Sequence, residues 1–481
     1  MTGTPDAVVI GAGPNGLAAA LTLSRAGLSV TVFEGTGAPG GGCRTEELTL
    51  PGLKHDVCSA VHPLAAASPF FRSLNLAANG ARMLTPEVAF AHPLDGGRAG
   101  AVTGSVPATA ASLGADAAAY GRLFAPLVAD ADGVLATLLA PIRAMPARPG
   151  PAARFLVRGV LSASMLARRF TTPQARALLA GASAHSFLRL DAPGSGGFGL
   201  FMTMLAHHVG WPVVQGGSAR LVDAMVCELT ERGGTLVTGQ WISQLRDLPP
   251  AKVVLLDITP RQLLGLAGPE LPAGYARALA GFRYGPGICK VDWALSEPVP
   301  WTAEACRSAG TLHLGGSLEE IASAEMEVTA SRHPERPFCI VAQPGVVDSS
   351  RAPAGQHVLW GYCHVPSGST IDMTGRIEAQ IERFAPGFRD LILARSTRTA
   401  AEVEQHNPNY VGGDITGGLG SLRQVVFRPV PRWNPYRTPL KGVYLCSSST
   451  PPGGGVHGMC GMWAARTALA DLHGLKTRTL A

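Results

Sequence analysis

Residues 7–34 read AVVIGAGPNGLAAALTLSRAGLSVTVFE. A short apolar, β-branched run (7–10) meets Gly11-Ala12-Gly13-Pro14-Asn15-Gly16, continues with helical spacing through Ala26, and returns to a second apolar run at 28–33 that ends on Glu34. This is a βαβ unit with a G-x-G-x-x-G turn between strand and helix, and an acid about 20 residues on. Gly11 permits the tight turn, Gly13 lets a backbone approach a pyrophosphate, and Gly16 lets the helix pack on the strand. Pro14 and Asn15 open the helix, whose free N–H groups and positive dipole end favour phosphate. Glu34 is placed to accept hydrogen bonds from ribose hydroxyls and disfavours a 2′-phosphate. The unit predicts an α/β chain that binds a dinucleotide.

Composition agrees with a large folded protein. The 481 residues are 46% hydrophobic and 15% charged, enough to bury a sizeable core and too apolar for disorder. Net charge is +6, but the basic residues are scattered, so no nucleic-acid partner is expected. The nine cysteines are widely spaced with no C-x-x-C, which argues against a disulfide framework or a zinc site and for a reducing, cytoplasmic setting. No metal site is expected. No basic leader precedes the first strand and no apolar run reaches a membrane span; peripheral membrane contact stays compatible with the sequence. Oligomeric state has no signature in it.

Beyond the opening unit, Asp95-Gly96-Gly97 marks a hairpin within 86–102. Residues 108–190 are Ala/Leu/Arg-rich with helical spacing, broken at Pro126, Pro141 and a Pro/Gly cluster at 146–151. A helix is predicted over 216–232, strands over 234–238 and 241–245, and a fully apolar strand over 252–257 of the kind buried in parallel sheets. Residues 282–295 and 337–364 read as β-rich, 371–385 as an amphipathic helix ended before Pro386, 442–446 as a last core strand, and 458–472 as a final helix.

Two further segments bear on which dinucleotide. Gly40-Gly41-Gly42-Cys43-Arg44 follows Glu34 closely, and Arg44 offers a fixed charge in a fork suited to phosphate. Near the C-terminus a strand runs into Ser447-Ser448-Ser449-Thr450-Pro451-Pro452-Gly453-Gly454-Gly455-Val456-His457-Gly458 and then a helix. That loop is rich enough in glycine to approach a ligand by its backbone.

With these residues in view, the chain resembles the phytoene dehydrogenase/desaturase-related FAD oxidoreductases, within the amine-oxidase-like FAD superfamily, and their broad bacterial branch in particular. The resemblance rests on residues 8–34, 50–71, 215–225, 253–268, 282–301, 406–418 and 436–465. It implies a glutathione-reductase-type Rossmann FAD-binding domain assembled from 1–75, 215–270 and 435–475, with an interleaved α+β substrate domain from 76–214 and 271–434. It implies one non-covalent FAD held by Gly11, Gly13, Pro14, Asn15, Gly16, Glu34, Gly41, Gly42, Arg44, Ile242, Ser448, Gly454, Gly455, Val456, Gly458 and Gly461. Many relatives carry Gly where Ser447 or Ser448 stands here.

The implied activity is desaturation, dehydrogenation or double-bond isomerisation of a hydrophobic small molecule. Flavin chemistry needs few protein groups, so the acid/base candidates are histidines in or beside the expected pocket: His457 first, then His62 and His185. A flavin amine oxidase is the alternative enzyme. A GDP-dissociation-inhibitor-like binding protein is the alternative outside enzymes, and the intact Gly11/Gly13/Gly16/Glu34 set with Arg44 argues against it.

Overall fold

A computed structural model describes residues 4–141 and 149–474. Its centre is a parallel sheet of five short strands in the order Val443–Leu445, Val253–Leu256, Ala7–Ile10, Val30–Phe33, Thr235–Val237. Ala7 is in register with Val253 on one side and Val30 on the other. The central strands are apolar on both faces because both faces are covered. The chain reverses its direction of addition at the strand Ala7–Ile10, so Gly11, Glu34, Asp257 and Cys446 all leave the sheet at one edge, where ligands of open α/β sheets bind.

The helix Pro14–Arg25 starts with proline at its first turn, which uses no amide there. It ends in a Schellman motif: Gly27, at φ +88°, donates to Ser24 O and Leu28 donates to Leu23 O. Nearly every residue between is buried, as Ala18, Ala19 and Ala20 let the helix lie between the sheet and the closing helix Met459–Leu472. The closing helix brings its own small face, Gly461, Ala464, Ala465 and Ala468. A methyl group on Gly461 would sit 1.8 Å from the Asn15 carbonyl oxygen.

A second sheet of seven strands runs Ile392–Arg398, Gly287–Leu295, His357–Val365, Cys339–Ala342, Ala309–Leu314, Val88–Leu94, Arg98–Thr103. All its neighbours are antiparallel except Ala309–Leu314 with Val88–Leu94. Trp293, Leu312, Ile377, Ile381 and Phe384 pack one face of it, with the last three from the amphipathic helix Thr374–Phe384. The hairpin at Asp95–Gly97 forms, with Leu94 opposite Arg98. Helices from Val106 to His208 cover the other side.

Two local expectations fail. Residues 241–245 are not a strand: Gly239 (φ +70°) turns the chain so that Gln240 donates to Glu34 O, and Trp241 folds over Gly35. Pro126 does not break its helix, Ala117–Ala129, because it falls in the last turn, where Leu123, Phe124 and Leu127 anchor the buried face. The Pro/Gly cluster at 146–151 lies partly outside the described residues, and a helix runs over Pro149–Gly159.

Replacing Gly461 tests the helix–helix contact. Gly461→Ala should lower stability by about 1–3 kcal/mol, the scale of overpacking, read as an earlier thermal or urea transition. Gly375→Ala, at a helical glycine with no atom within 4 Å of the added carbon, should leave it unchanged or raised.

Candidate functional site

The turn after the first strand is built by exclusion of side chains. Gly11 takes φ +94°, and a Cβ there would lie 3.1 Å from Asp257. On Gly16 it would lie 2.0 Å from the Gly11 carbonyl oxygen, and on Gly13 2.9 Å from Asp257 Oδ2. Asp257, at the end of the strand Val253–Leu256, accepts the Gly16 N–H at 2.8 Å. It is the site residue that the sequence did not single out; the only local signal was an acid ending a fully apolar strand. Burial pushes its carboxyl up to about 7; the Gly16 N–H opposes this and nearby Glu34 adds to it.

Glu34 is bound to its own surroundings. Oε2 accepts the Ala12 N–H (2.9 Å), and Oε1 accepts the Thr36 N–H (2.9 Å) and hydroxyl (2.7 Å). Arg44 donates to the Thr36 hydroxyl and the Ala38 carbonyl and stands 3.9 Å from Glu34. Its Nε is buried without a partner. The guanidinium therefore lies at the Glu34 end of the site. Gly40 donates to Ala12 O, and a Cβ on Gly41 would come within 3.3 Å of Gly13, so the second glycine segment lies directly against the first.

From this turn a cavity of about 1120 Å³ extends between the two sheets. Its wall includes Gly11, Gly13, Pro14, Asn15, Glu34, Gly41, Gly42, Arg44, Ile242, Ser448, Gly454, Gly455 and Val456, and also His62, His185 and His457. Gly16, Gly458 and Gly461 are not in that wall. Gly16 and Gly461 are packing positions, as above, and Gly458 faces Phe70 and Ala18. At Gly458 and Gly461 it is the Cβ direction that Phe70, Ala18 and the Asn15 carbonyl close, and the expected cofactor contact there is through backbone N–H groups.

The three histidines differ. His457 is 1% exposed; Nδ1 accepts the Met459 N–H at 3.0 Å and Nε2 donates to Gly453 O at 3.1 Å. Burial holds its pKa down at about 4. With both nitrogens engaged by backbone, the ring braces the loop and has no free position for a substrate proton, which corrects its expected catalytic role. His62 is buried with neither ring nitrogen partnered, and burial lowers it to about 4. His185 shares a hydrogen bond of 2.8 Å with His313, Nε2 to Nε2. Burial brings His185 down to about 3 and His313 further still.

Other charged groups around the cavity were also not singled out. Lys290 is buried, paired with Asp292, and 5.6 Å from the Trp360 ring in the cavity wall. Arg428, 4% exposed, is in the wall itself. Neither could be found from local sequence, since each is set by strands or loops distant in the chain. Among the described residues no group of three His, Cys, Asp or Glu could hold a metal ion. All nine cysteines are free thiols.

The glycine cradle, the helix N-terminus and Arg44 fit a dinucleotide: Gly11, Gly13, Pro14, Asn15 and Arg44 line one continuous cavity. Comparison with known proteins agrees at that level. Residues 9–74 match the NAD(P)-binding Rossmann-like domain family. The chain is 28% identical to pyridine nucleotide-disulfide oxidoreductase domain-containing protein 2 of Rattus norvegicus, covering 97% of this chain and 94% of that protein. It is 34% identical to 4,4′-diapolycopen-4-al dehydrogenase of Metabacillus indicus over 26% of each chain. A solved wild-type putrescine oxidase bound to putrescine has the same fold, with a TM-score of 0.61 at 18% identity, covering 98% and 99% of the two chains. This chain therefore has a mixed α/β fold with a Rossmann-like dinucleotide domain, similar to oxidoreductases along its whole length.

Asp257 gives a pH signature. Its carboxyl holds a proton up to about 7 when folded and to 3.8 ordinarily. Between these values the folded chain keeps a proton that the unfolded chain has released, so this group costs stability as pH rises through that window. Asp257→Asn keeps an acceptor for the Gly16 N–H and has nothing to titrate. In cofactor-free protein it should melt above wild type at pH 8, with the gap closing toward pH 4. The buried histidines are common to both proteins and cancel in the difference.

Proposed function

We propose that the chain is an FAD-dependent oxidoreductase acting on an apolar small molecule, by dehydrogenation, desaturation or double-bond isomerisation. The observation that carries this reading is the continuity of the cavity. One end is the glycine cradle with Glu34 and Arg44; the other is lined by Phe155, Phe198, Phe201, Met202, Trp360 and Tyr362. Gly11, Gly13, Asn15, Glu34, Gly41, Gly42 and Arg44 would hold the dinucleotide portion, with Ile242 beside them. Ser448 and Gly454–Val456 would hold the remainder through backbone. When bound, FAD supplies the acceptor for a hydride equivalent. The protein orients the substrate between aromatic side chains and excludes water. His62 or His185, both neutral in the fold and in the wall, takes or returns the accompanying proton.

The names of two relatives support the class. The diapolycopenal dehydrogenase is one. A component of limonene dehydrogenase from Castellaniella defragrans, 37% identical over 18% of this chain, is the other. Both are dehydrogenases by name. An amine oxidase is the second reading. It is favoured by the shared fold of putrescine oxidase and by the perpendicular pair Trp360–Tyr362, 5.2 Å between ring centroids, in the wall.

The purified protein should be yellow, and acid precipitation should release FAD and leave a colourless pellet; a colourless preparation that takes up no FAD overturns the reading. NADH and NADPH should reduce the flavin far more slowly than ~10 per second, a common turnover scale, because the one fingerprint is used by FAD. Anaerobic bleaching by apolar alkenes or aldehydes, against a panel of amines, separates the two enzyme readings. His457→Ala should cost about 2–4 kcal/mol of stability through two lost hydrogen bonds and a cavity, and FAD occupancy should fall with it.

A further inference from the structure

Among the described residues, Arg428 is the one buried arginine of the cavity wall for which the structure gives no carboxylate partner. Its NH1 group donates to Ser448 O at 3.2 Å and its NH2 group to Gly418 O at 3.1 Å. Nε is buried with no acceptor. No ion pair to it occurs among the described residues within 4.0 Å, while Arg44 has Glu34 at 3.9 Å and fully buried Arg351 has Asp56 and Asp348.

The acid that acts on it, Asp414, is already saturated. Oδ1 accepts the Thr416 N–H and hydroxyl, and Oδ2 accepts the Gly285 and Gly418 N–H groups, all within 3.0 Å. The remaining titratable group facing Arg428 is the Cys460 thiol, which burial pushes up to about 12.

Two carbonyl oxygens do not explain this choice of residue. A neutral amide would bridge them without carrying a full charge out of water, and an unpaired buried charge costs several kcal/mol. Such a cation is retained where an anion joins it in the working state. The position supports that. Ser448 and Gly454 on one side, and Thr416 and Gly418 on the other, are all cavity wall. The guanidinium sits where those loops meet, at the strand end opposite the Glu34–Arg44 cluster.

We propose that Arg428 is an anion-binding residue of the cavity, and that its partner is an anionic oxygen of the reacting end: the pyrimidine edge of the electron-rich flavin, or the carboxylate of an acid-bearing substrate. This rests on the FAD reading. It assigns charge stabilisation at that edge to a side chain.

The experiment compares wild type, Arg428→Lys and Arg428→Met, after FAD content and melting temperature are recorded. Sulfite adds its lone pair to flavin N5 and leaves an anionic ring, so its dissociation constant, read from the loss of flavin absorbance, reports the flavin source. Decanoate and benzoate, read by flavin spectral change and by thermal shift, report the carboxylate source. Arg428→Met should weaken one of these ligands by about 10- to 100-fold, the scale of a hydrogen bond to a charge, and Arg428→Lys should recover much of it.

Sulfite affected alone assigns the flavin edge; carboxylates affected alone assign a substrate acid. Equal affinities for both probes in folded Arg428→Met overturn the proposal. If that variant does not fold, a wild type that forms no sulfite adduct and shows no carboxylate shift overturns it equally. A protein without flavin defeats the FAD reading itself, and the thermal shift with carboxylates still decides the role of Arg428.

Discussion

The fold depends on keeping one helix end open while everything beside it is closed. The N-terminus of Pro14–Arg25 has to face the cavity, yet its first turn touches three elements. Asp257 takes the Gly16 N–H from one side, Gly11 O lies under Gly16, and Gly461 of the closing helix presses on Asn15 O from another. None of these approaches tolerates a Cβ. Residues 11, 16, 257 and 461 are thus one packing unit despite spanning most of the chain, and Gly13, Pro14 and Asn15 beside it line the cavity.

Electrostatics along the cavity follow from this arrangement. The glycine end carries two acids, Glu34 and Asp257, close enough that one raises the other. A dinucleotide phosphate arriving there meets a protonated Asp257 more favourably than an ionised one. Arg44 compensates at the Glu34 side, and the far loops contribute Arg428. Between the charged ends the histidines are neutral, each held down mainly by loss of water. The cavity therefore has fixed charge at its ends and uncharged imidazoles in its wall.

The parts legible in the sequence were those encoded locally. The glycine turn, the apolar strands, the Asp95–Gly97 hairpin and the position of Glu34 all follow from runs of a few residues, and the structure has them. What was not legible depends on partners far away in the chain. Asp257 becomes part of the turn through an amide 241 residues distant. At Gly458 and Gly461 the close approach is to the helix Pro14–Arg25 and Phe70, neighbours that the local sequence does not name. His457 was placed correctly in a loop against the cavity, but the loop's own backbone, at Gly453 and Met459, claims both ring nitrogens. Residues 241–245 have strand-like composition, yet Gly239 turns the chain so that Gln240 bonds Glu34 O and no ladder follows.

The cavity also needs the two sheets to be fixed relative to one another, and burial of apolar surface alone does not set register at such a joint. Arg351 orders short segments outside both sheets through charge. It is 1% exposed and donates to Asp56 (2.8 Å), Asp348 (2.7 Å) and Val214 O (3.0 Å). Asp56 in turn accepts from Ser218 and Thr45, and Asp348 from Gly216 and Ser350. Every partner is itself hydrogen-bonded, the condition under which a buried ion cluster is tolerated, and removal of one member would strand the rest at about 3–5 kcal/mol. The cluster ties the strand His55–Asp56, the start of the helix Ala219–Glu231 and the turn at Ser349–Arg351 to one point beside the cavity. Directional bonds of this kind fix angle as well as distance, so these segments, distant in the chain, are held in one arrangement.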